Sequence, residues 1–544
     1  MNMRALSRRL PIGLAVALSL LGAPSASAWD PSTTHHALLE AAVTRSALHL
    51  RWMDASELQR GLFSPLRIDP DEIEHAELQL LQLTVRQAHA DAGAVPLGGP
   101  GACPPADAPP ETQQFCVDRD LWEHSALGWL ALGMIAEVTP SARHLHHFVD
   151  LEQPEGLTWR DDELPASVLR TRSARSNGEP VAGVVTGTNF SGRAASAVAW
   201  LEDPDDPLAP AQTYRHLALA SHAKTRAERE HHLALALIGV GALLHVVQDL
   251  SVPAHARGDA TAFFAPLSHA TGDRGLPLQE FARVEWGRET IPGLQAATAA
   301  PTGIPLAETL LGHLFGTGTG EGLAAEGLAT RAGRHFFSEA SVPAPKHLDA
   351  TLSPTEAAAS LLGADHHLDP AEVAGAKLGP WPSERGYLLS ATGRPLAAFD
   401  TDHEGRIRPY IDETCYRDQA TLLLPAAVDA TRSILDLLWP AWPSMARTGK
   451  TLRLTIPDWA SAELAIVIES DDGVRRQVAT HTLTVGADNA IALPADSIAE
   501  GERVVLILDA KRVAGPPIVI EQLLSATETP TTEPLPIIPV PMTD

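Results

Sequence analysis

The strongest constraint on this chain is residues 233–256, LALALIGVGALLHVVQDLSVPAHA, where polar residues sit at fixed spacing inside an otherwise apolar run. A helix that is apolar on every side belongs in the middle of a helical domain. His245 and Asp249 are four residues apart, so on a helix they share one face. A buried carboxylate must be met by hydrogen bonds or by positive charge. A plain His–Asp pair would serve, and so would a divalent cation. Pro253 is expected to end the helix, leaving His255 just past the break, where it can turn back toward the same cavity.

The resulting pattern, H-x3-D-x5-H with a proline two residues before the last histidine, resembles the signature of the zinc-dependent phospholipases C and S1/P1 nucleases, one superfamily with a three-zinc site. Other stretches are similar to further parts of that pattern. WDPSTTHHALLEAAVTRSAL, 29–48, carries an apolar stripe at Leu38, Leu39, Ala42 and Val43, which places His35 toward the core and turns His36 about 100° toward the Glu40 side. The resemblance implies that Trp29, through a terminal amine and carbonyl, and His35 both bind zinc. The segment HHFVD resembles the family's HFxD, which implies that His147 is the next ligand, with His144 and His146 as alternatives. Upstream of it, Glu137 stands where the family has an Asp that is both ligand and candidate general base. Its extra methylene shifts the carboxylate by more than about 1 Å, enough to alter a base's alignment.

By resemblance, Asp249 bridges two zinc ions. Trp29 and His35 hold one of them, and Glu137, His147 and His245 hold the other. A third would take His255, His269 and either Asp273 or Glu280, with Asp259 near enough in sequence to compete. The catalytic residues implied are Glu137 and Asp249.

With 544 residues the chain has room for two to four domains. Arg4, Arg8 and Arg9, the run PIGLAVALSLLG and then Ala26-Ser27-Ala28 form a signal-peptide pattern over residues 1–28, so the mature protein is expected to begin at Trp29 and to be secreted or periplasmic. A formal charge of −26 disfavours a broad nucleic-acid footprint, and the three leader arginines make the mature chain more acidic still. A small nuclease cleft stays open to it, because bound zinc supplies local positive charge. Cys103 and Cys116 flank a Pro-rich loop and are the natural disulfide pair in an oxidising compartment, leaving Cys415 over.

The expected fold is mainly α: a multi-helix phospholipase C/P1 nuclease-like domain over 29–440, then a small all-β sandwich-like domain. Residues 57–90 read as interrupted helix, 91–114 as a Gly/Pro loop and 151–230 as Asp/Pro-rich loops and a Gly/Ser stretch before the central helix. Residues 300–400 alternate helical stretches with Gly-rich turns, their His366, His367 and nearby His403 read as solvated. Residues 410–439 read as a long amphipathic helix, similar to the last helix that closes the catalytic domain in bacterial members of that superfamily. After WPAWP the period changes. TLRLTI, ELAIVIES, RRQVATHTLTV, NAIALP, ERVVLILDA and PIVIEQLL alternate as strands of an antiparallel sandwich over 447–526, followed by a Pro-rich, disordered tail over 527–544.

The function expected is that of a secreted zinc-dependent phosphodiester hydrolase of the phospholipase C type, acting on phospholipid or a related ester as a monomer with peripheral membrane contact. A single-strand nuclease would need aromatic stacking platforms near the ligands, and none is clustered there. The third reading is a metal-stabilised, catalytically weak protein that binds a surface through its sandwich.

Overall fold

The computed structural model describes residues 34–68, 122–138, 141–151, 196–259, 309–316, 326–364, 366–493 and 501–524, with short pieces at 175–176, 179–180, 278–279, 281–282 and 498–499. Trp29, His269, Asp273, Glu280, Cys103 and Cys116 lie outside the described residues, as do the leader and the Pro-rich tail. Helices fill the N-terminal two thirds of the described chain, and antiparallel sheets follow.

The helices that position the site are α1 (Thr34–Arg45), α2 (Ala126–Ala136), α3 (Pro210–His222), α4 (Arg226–Asp249), α5 (Pro253–Ala256) and α6 (Glu413–Leu438). α4 starts at a capping box in which Thr225 and Glu228 satisfy each other's backbone N–H groups. It is long and apolar enough, by length and composition, to cross a bilayer, yet it is buried inside the protein. Its glycines explain how neighbours approach so closely. A Cβ on Gly241 would lie 2.0 Å from the Leu130 carbonyl of α2, one on Gly133 would lie 2.1 Å from the Ile238 carbonyl of α4, and one on Gly239 would lie 2.1 Å from the Thr213 hydroxyl of α3. The GVG triplet is therefore where two helices press on α4 from different sides.

Three expectations for this region need correcting. α4 stops at Asp249, and Pro253 opens the next helical turn at its first position rather than ending the previous one. A proline is tolerated there because the N–H it lacks would have no helical partner. Residues 57–63 are turns and a short 3₁₀ segment rather than helix, and the expected interruption after them holds the strand Pro65–Arg67, which pairs with Glu123–Ser125. Residues 210–222, read as part of a loop region, form α3, whose Pro210 sits in the first turn.

The end of the stretch read as helices and Gly-rich turns, together with the residues just after it, forms a four-stranded antiparallel sheet: β1 (Lys377–Gly379), β2 (Arg385–Leu389), β3 (Pro395–Thr401) and β4 (Ile407–Tyr410), in that order. Of the histidines read as solvated, His367 and His403 are exposed, whereas His366 is half-buried. α6 follows, capped by the Asp412 carboxylate, with Cys415 as a buried free thiol in its first turn.

All six strands expected after the WPAWP break form, preceded by one more. They are β5 (Ser444–Thr448), β6 (Thr451–Thr455), β7 (Ser461–Glu469), β8 (Arg475–Leu483), β9 (Asp488–Ala492), β10 (Arg503–Lys511) and β11 (Ile518–Leu524). They build a three-stranded sheet, β9-β6-β5, and a four-stranded sheet, β8-β7-β10-β11, antiparallel throughout. Leu452 and Leu454 of the first sheet and Leu464, Ile466, Leu506 and Leu508 of the second belong to the same continuous apolar core as α4 and α6. Hydrogen bonds join the two parts as well. The Arg475 amide donates to the Lys224 carbonyl (2.8 Å), the Leu523 amide to Asp54 (2.6 Å), and the Arg512 guanidinium to the Leu437 carbonyl (2.6 Å).

One ion cluster away from the site carries a prediction about pH. His335, at the end of the helix Leu328–His335, is held between Glu372 Oε1, 2.8 Å from Nδ1, and Glu326 Oε2, 2.6 Å from Nε2. Arg394 lies 3.6 Å from the Glu372 carboxylate. Burial pulls the imidazole pKa down and the two carboxylates more than offset it, raising it to about 9. A folded pKa above the unfolded value of about 6.5 gives stability that is complete below 6.5 and lost as pH rises through about 9. His335→Gln should therefore cost about 2 kcal/mol near pH 6, from two hydrogen bonds to a charged ring. Urea denaturation at pH 6 and pH 10 checks this: the gap to wild type should close at the higher pH, and a pH-independent gap would contradict it.

Candidate metal centre

Asp249 is the last residue of α4 and is fully buried, so its carboxylate sits at the negative end of a 24-residue helix dipole. That is a costly place for an anion unless positive charge meets it. Burial pushes its pKa up, but His245, His35 and His147 around it more than offset this and hold it well below the usual carboxylate range.

Each histidine arrives from a different element. His35, in the first turn of α1, places Nε2 2.9 Å from Asp249 Oδ1. His245, one turn up α4, places Nε2 3.2 Å from Oδ2. His147, at the end of the 3₁₀ segment Ser141–His147, places Nδ1 2.5 Å from Oδ2. His255 comes from α5, with its Nδ1 2.9 Å from the His147 carbonyl oxygen, and the Val149 amide returns a bond to the His255 carbonyl. The His35 and His245 rings stack at 3.7 Å, and the His255 ring stacks on Phe148 at 4.1 Å. All four histidines are fully buried.

Two groups of side chains here could hold a metal ion: His35, His245 and Asp249, and His147, Asp249 and His255, each with ligand atoms within 4.8 Å of one another. Asp249 belongs to both. The donor set fits a divalent ion such as zinc, being imidazole nitrogens with one shared carboxylate. Unsatisfied atoms point the same way. Neither ring nitrogen of His245, nor His147 Nε2, nor Glu137 Oε1 makes a hydrogen bond among the described residues, though all are buried. Burial, with the nearby His35, brings the His245 pKa down to about 3, and burial brings that of His255 down to about 4, so both rings are neutral at pH 7, the form that ligates. Burial lowers His147 too, but Asp249 and Glu137 outweigh it and raise it to about 9.

Glu137 caps the C-terminus of α2. Its Oε2 accepts from Arg143 at 2.7 Å, and its Oε1 lies 3.6 Å from His147 Nε2 and 3.7 Å from His146 Nδ1. Arg143 is itself fully buried and is anchored by two bonds to the Asp206 carboxylate, at 3.0 and 3.1 Å. Burial works to raise the Glu137 pKa, and Arg143 with the two histidines overcomes it and keeps the carboxylate ionised.

His35, Glu137, His147, His245, Asp249 and His255 therefore converge. Of the alternatives, His36 is buried but not grouped with Asp249, and Asp259 takes a hydrogen bond from Ser338. Arg143 and Asp206 are additions that the sequence reading lacked, since nothing local marks a pair 63 residues apart. Gln248, beside Asp249 in the same buried run, is another.

No protein-family profile matches the chain, and no curated protein does. Among solved structures, the alpha toxin from Clostridium absonum is similar at 10% identity, covering 91% of this chain and 99% of that one with a TM-score of 0.21. At that score the likeness carries no argument about fold or site.

Proposed function

We propose that this protein is a zinc-dependent phosphodiester hydrolase of the phospholipase C type, exported by its leader, acting as a monomer on phospholipid or a related phosphodiester at a membrane surface. The observation that carries the reading is the shared position of Asp249, one buried carboxylate with histidines facing both of its oxygens. Zinc, when bound, supplies Lewis acidity toward a phosphoryl oxygen and a lowered pKa for water. Asp249 holds the two histidine groups in register. His35 faces its Oδ1, His245 and His147 face its Oδ2, and His255 groups with His147. Arg143 fixes one Glu137 oxygen and keeps the carboxylate charged, which leaves Oε1 to orient a water by accepting its hydrogen bond.

The test is metal counting on the purified mature chain, together with turnover of a soluble phosphodiester such as bis(p-nitrophenyl) phosphate. At least two zinc ions per chain are expected, with turnover lost to a chelator and restored by zinc. A chain that holds no zinc, or that turns over equally well without it, would overturn the reading.

A further inference from the structure

A chain of hydrogen bonds runs away from the metal centre through His35, Gln248 and Thr431. His35 Nδ1 lies 2.7 Å from Gln248 Oε1, Gln248 Nε2 donates to Thr431 Oγ1 at 3.1 Å, and Thr431 Oγ1 donates to the Ala427 carbonyl at 2.8 Å. His35, Gln248 and Thr431 are all buried, and they come from α1, α4 and α6.

The direction of every bond follows from its far end. A carbonyl oxygen can only accept, so the Thr431 hydroxyl must spend its single proton on Ala427. Its oxygen is then an acceptor, so the Gln248 amide must turn its NH₂ toward it. That leaves the Gln248 oxygen facing His35, and an oxygen there requires a proton on Nδ1. A neutral imidazole with Nδ1 protonated carries its lone pair on Nε2, the nitrogen 2.9 Å from Asp249. We infer that Gln248, oriented by Thr431, is a positioning residue that sets the His35 tautomer and ring angle so that Nε2 is the ligand atom. The inference rests on the metal-centre reading above. A histidine ligand typically donates its other ring N–H to an outer partner, and loss of that partner costs about 10- to 100-fold in metal affinity. His255 has the same arrangement with a backbone acceptor, its Nδ1 facing the His147 carbonyl.

Two measurements on the full mature chain test this. In metal-free wild-type protein labelled with ¹⁵N-histidine, the His35 resonances, assigned by their loss in His35→Gln, should report a proton on Nδ1. In Thr431→Val they should shift toward a tautomer mixture. Zinc affinity, measured by chelator competition, should fall about 10- to 100-fold in Gln248→Leu and less in Gln248→Glu, which keeps an oxygen facing His35. A cobalt-substituted sample should show an altered visible spectrum in Gln248→Leu. His35 without a proton on Nδ1 in the metal-free wild type would overturn the relay whether or not zinc binds, and wild-type zinc affinity in a folded Gln248→Leu would overturn its purpose. Should Gln248→Leu fail to fold, Thr431→Val and the wild-type spectrum still decide. A wild type that binds no zinc yet shows the Nδ1–H tautomer would defeat the metal-centre reading while leaving the relay itself standing.

Discussion

Asp249→Asn should remove metal from both histidine groups in one step. The side chain keeps its shape but loses the charge that faces His35 from one oxygen, at 2.9 Å, and His147 and His245 from the other, at 2.5 and 3.2 Å. An amide presents one oxygen and one NH₂, so whichever way it turns, one position holds a donor and the other a neutral oxygen, where both groups need a shared anion. Zinc content should fall by two equivalents, and phosphodiester turnover by at least about 100-fold, the upper end of what losing an outer partner of a ligand costs. His245→Ala, which touches one group only, should lose a single equivalent. Zinc should raise the melting temperature of the wild type and leave that of Asp249→Asn unchanged, because a ligand stabilises only what binds it. Equal zinc-induced shifts in the two proteins would mean that Asp249 is a structural ion-pair partner and no ligand.

The second large effect is expected where the C-terminal sheets meet the helices. Arg229 of α4 is 1% exposed, and its guanidinium contacts Glu57 at 2.6 Å, Glu469 of β7 at 3.3 Å and the Gly473 carbonyl at 2.9 Å. Glu469, also buried, is held in turn by Arg475 at 2.7 Å and by Arg503, and Arg475 reaches Glu521 of β11 and the Ser221 carbonyl of α3. Removing one member of such a network leaves buried charge without its partner, which typically costs about 3–5 kcal/mol. Arg229→Met keeps the apolar volume and deletes the charge, so it should lower the melting temperature by roughly 3–5 °C if helices and sheets unfold together. Calorimetry decides both points. A single transition moved downward fits the buried network, whereas an unmoved transition would mean that these contacts add nothing to stability.

Much of this was legible in the sequence because local periodicity carried it. Two-residue alternation after the Pro-rich break located six strands, and the fully apolar run around His245 and Asp249 located the buried helix. Position on the α1 stripe separated His35 from His36, of which only His35 joins a metal-holding group. What escaped was written either too briefly or too far apart. RGYLL and IRPY are short and interrupted by Gly, Pro and Arg, so neither β2, inside a stretch read as helices and turns, nor β4, just beyond it, stood out as a strand, although each pairs with β3. α3 has apolar residues too sparse to separate it from the Asp/Pro-rich loop before it. Pro253 has the same φ preference at the end of one helix and the start of another, so sequence alone could not choose. The partners that fix the site, Arg143 with Asp206 and Gln248 with Thr431, lie 63 and 183 residues apart. Gln248 meets Thr431 because α6 packs on α4, and Arg143 meets Asp206 where the 3₁₀ segment Ser141–His147 packs on the short helix Ala197–Leu201.

The most direct test of the centre is anomalous diffraction at the zinc edge from crystals of the mature, zinc-loaded protein. The account predicts two anomalous peaks flanking the Asp249 carboxylate, one against His35 and His245 and the other against His147 and His255. A map with no peak beside Asp249, or with zinc bound only at surface histidines such as His367 and His403, would contradict it.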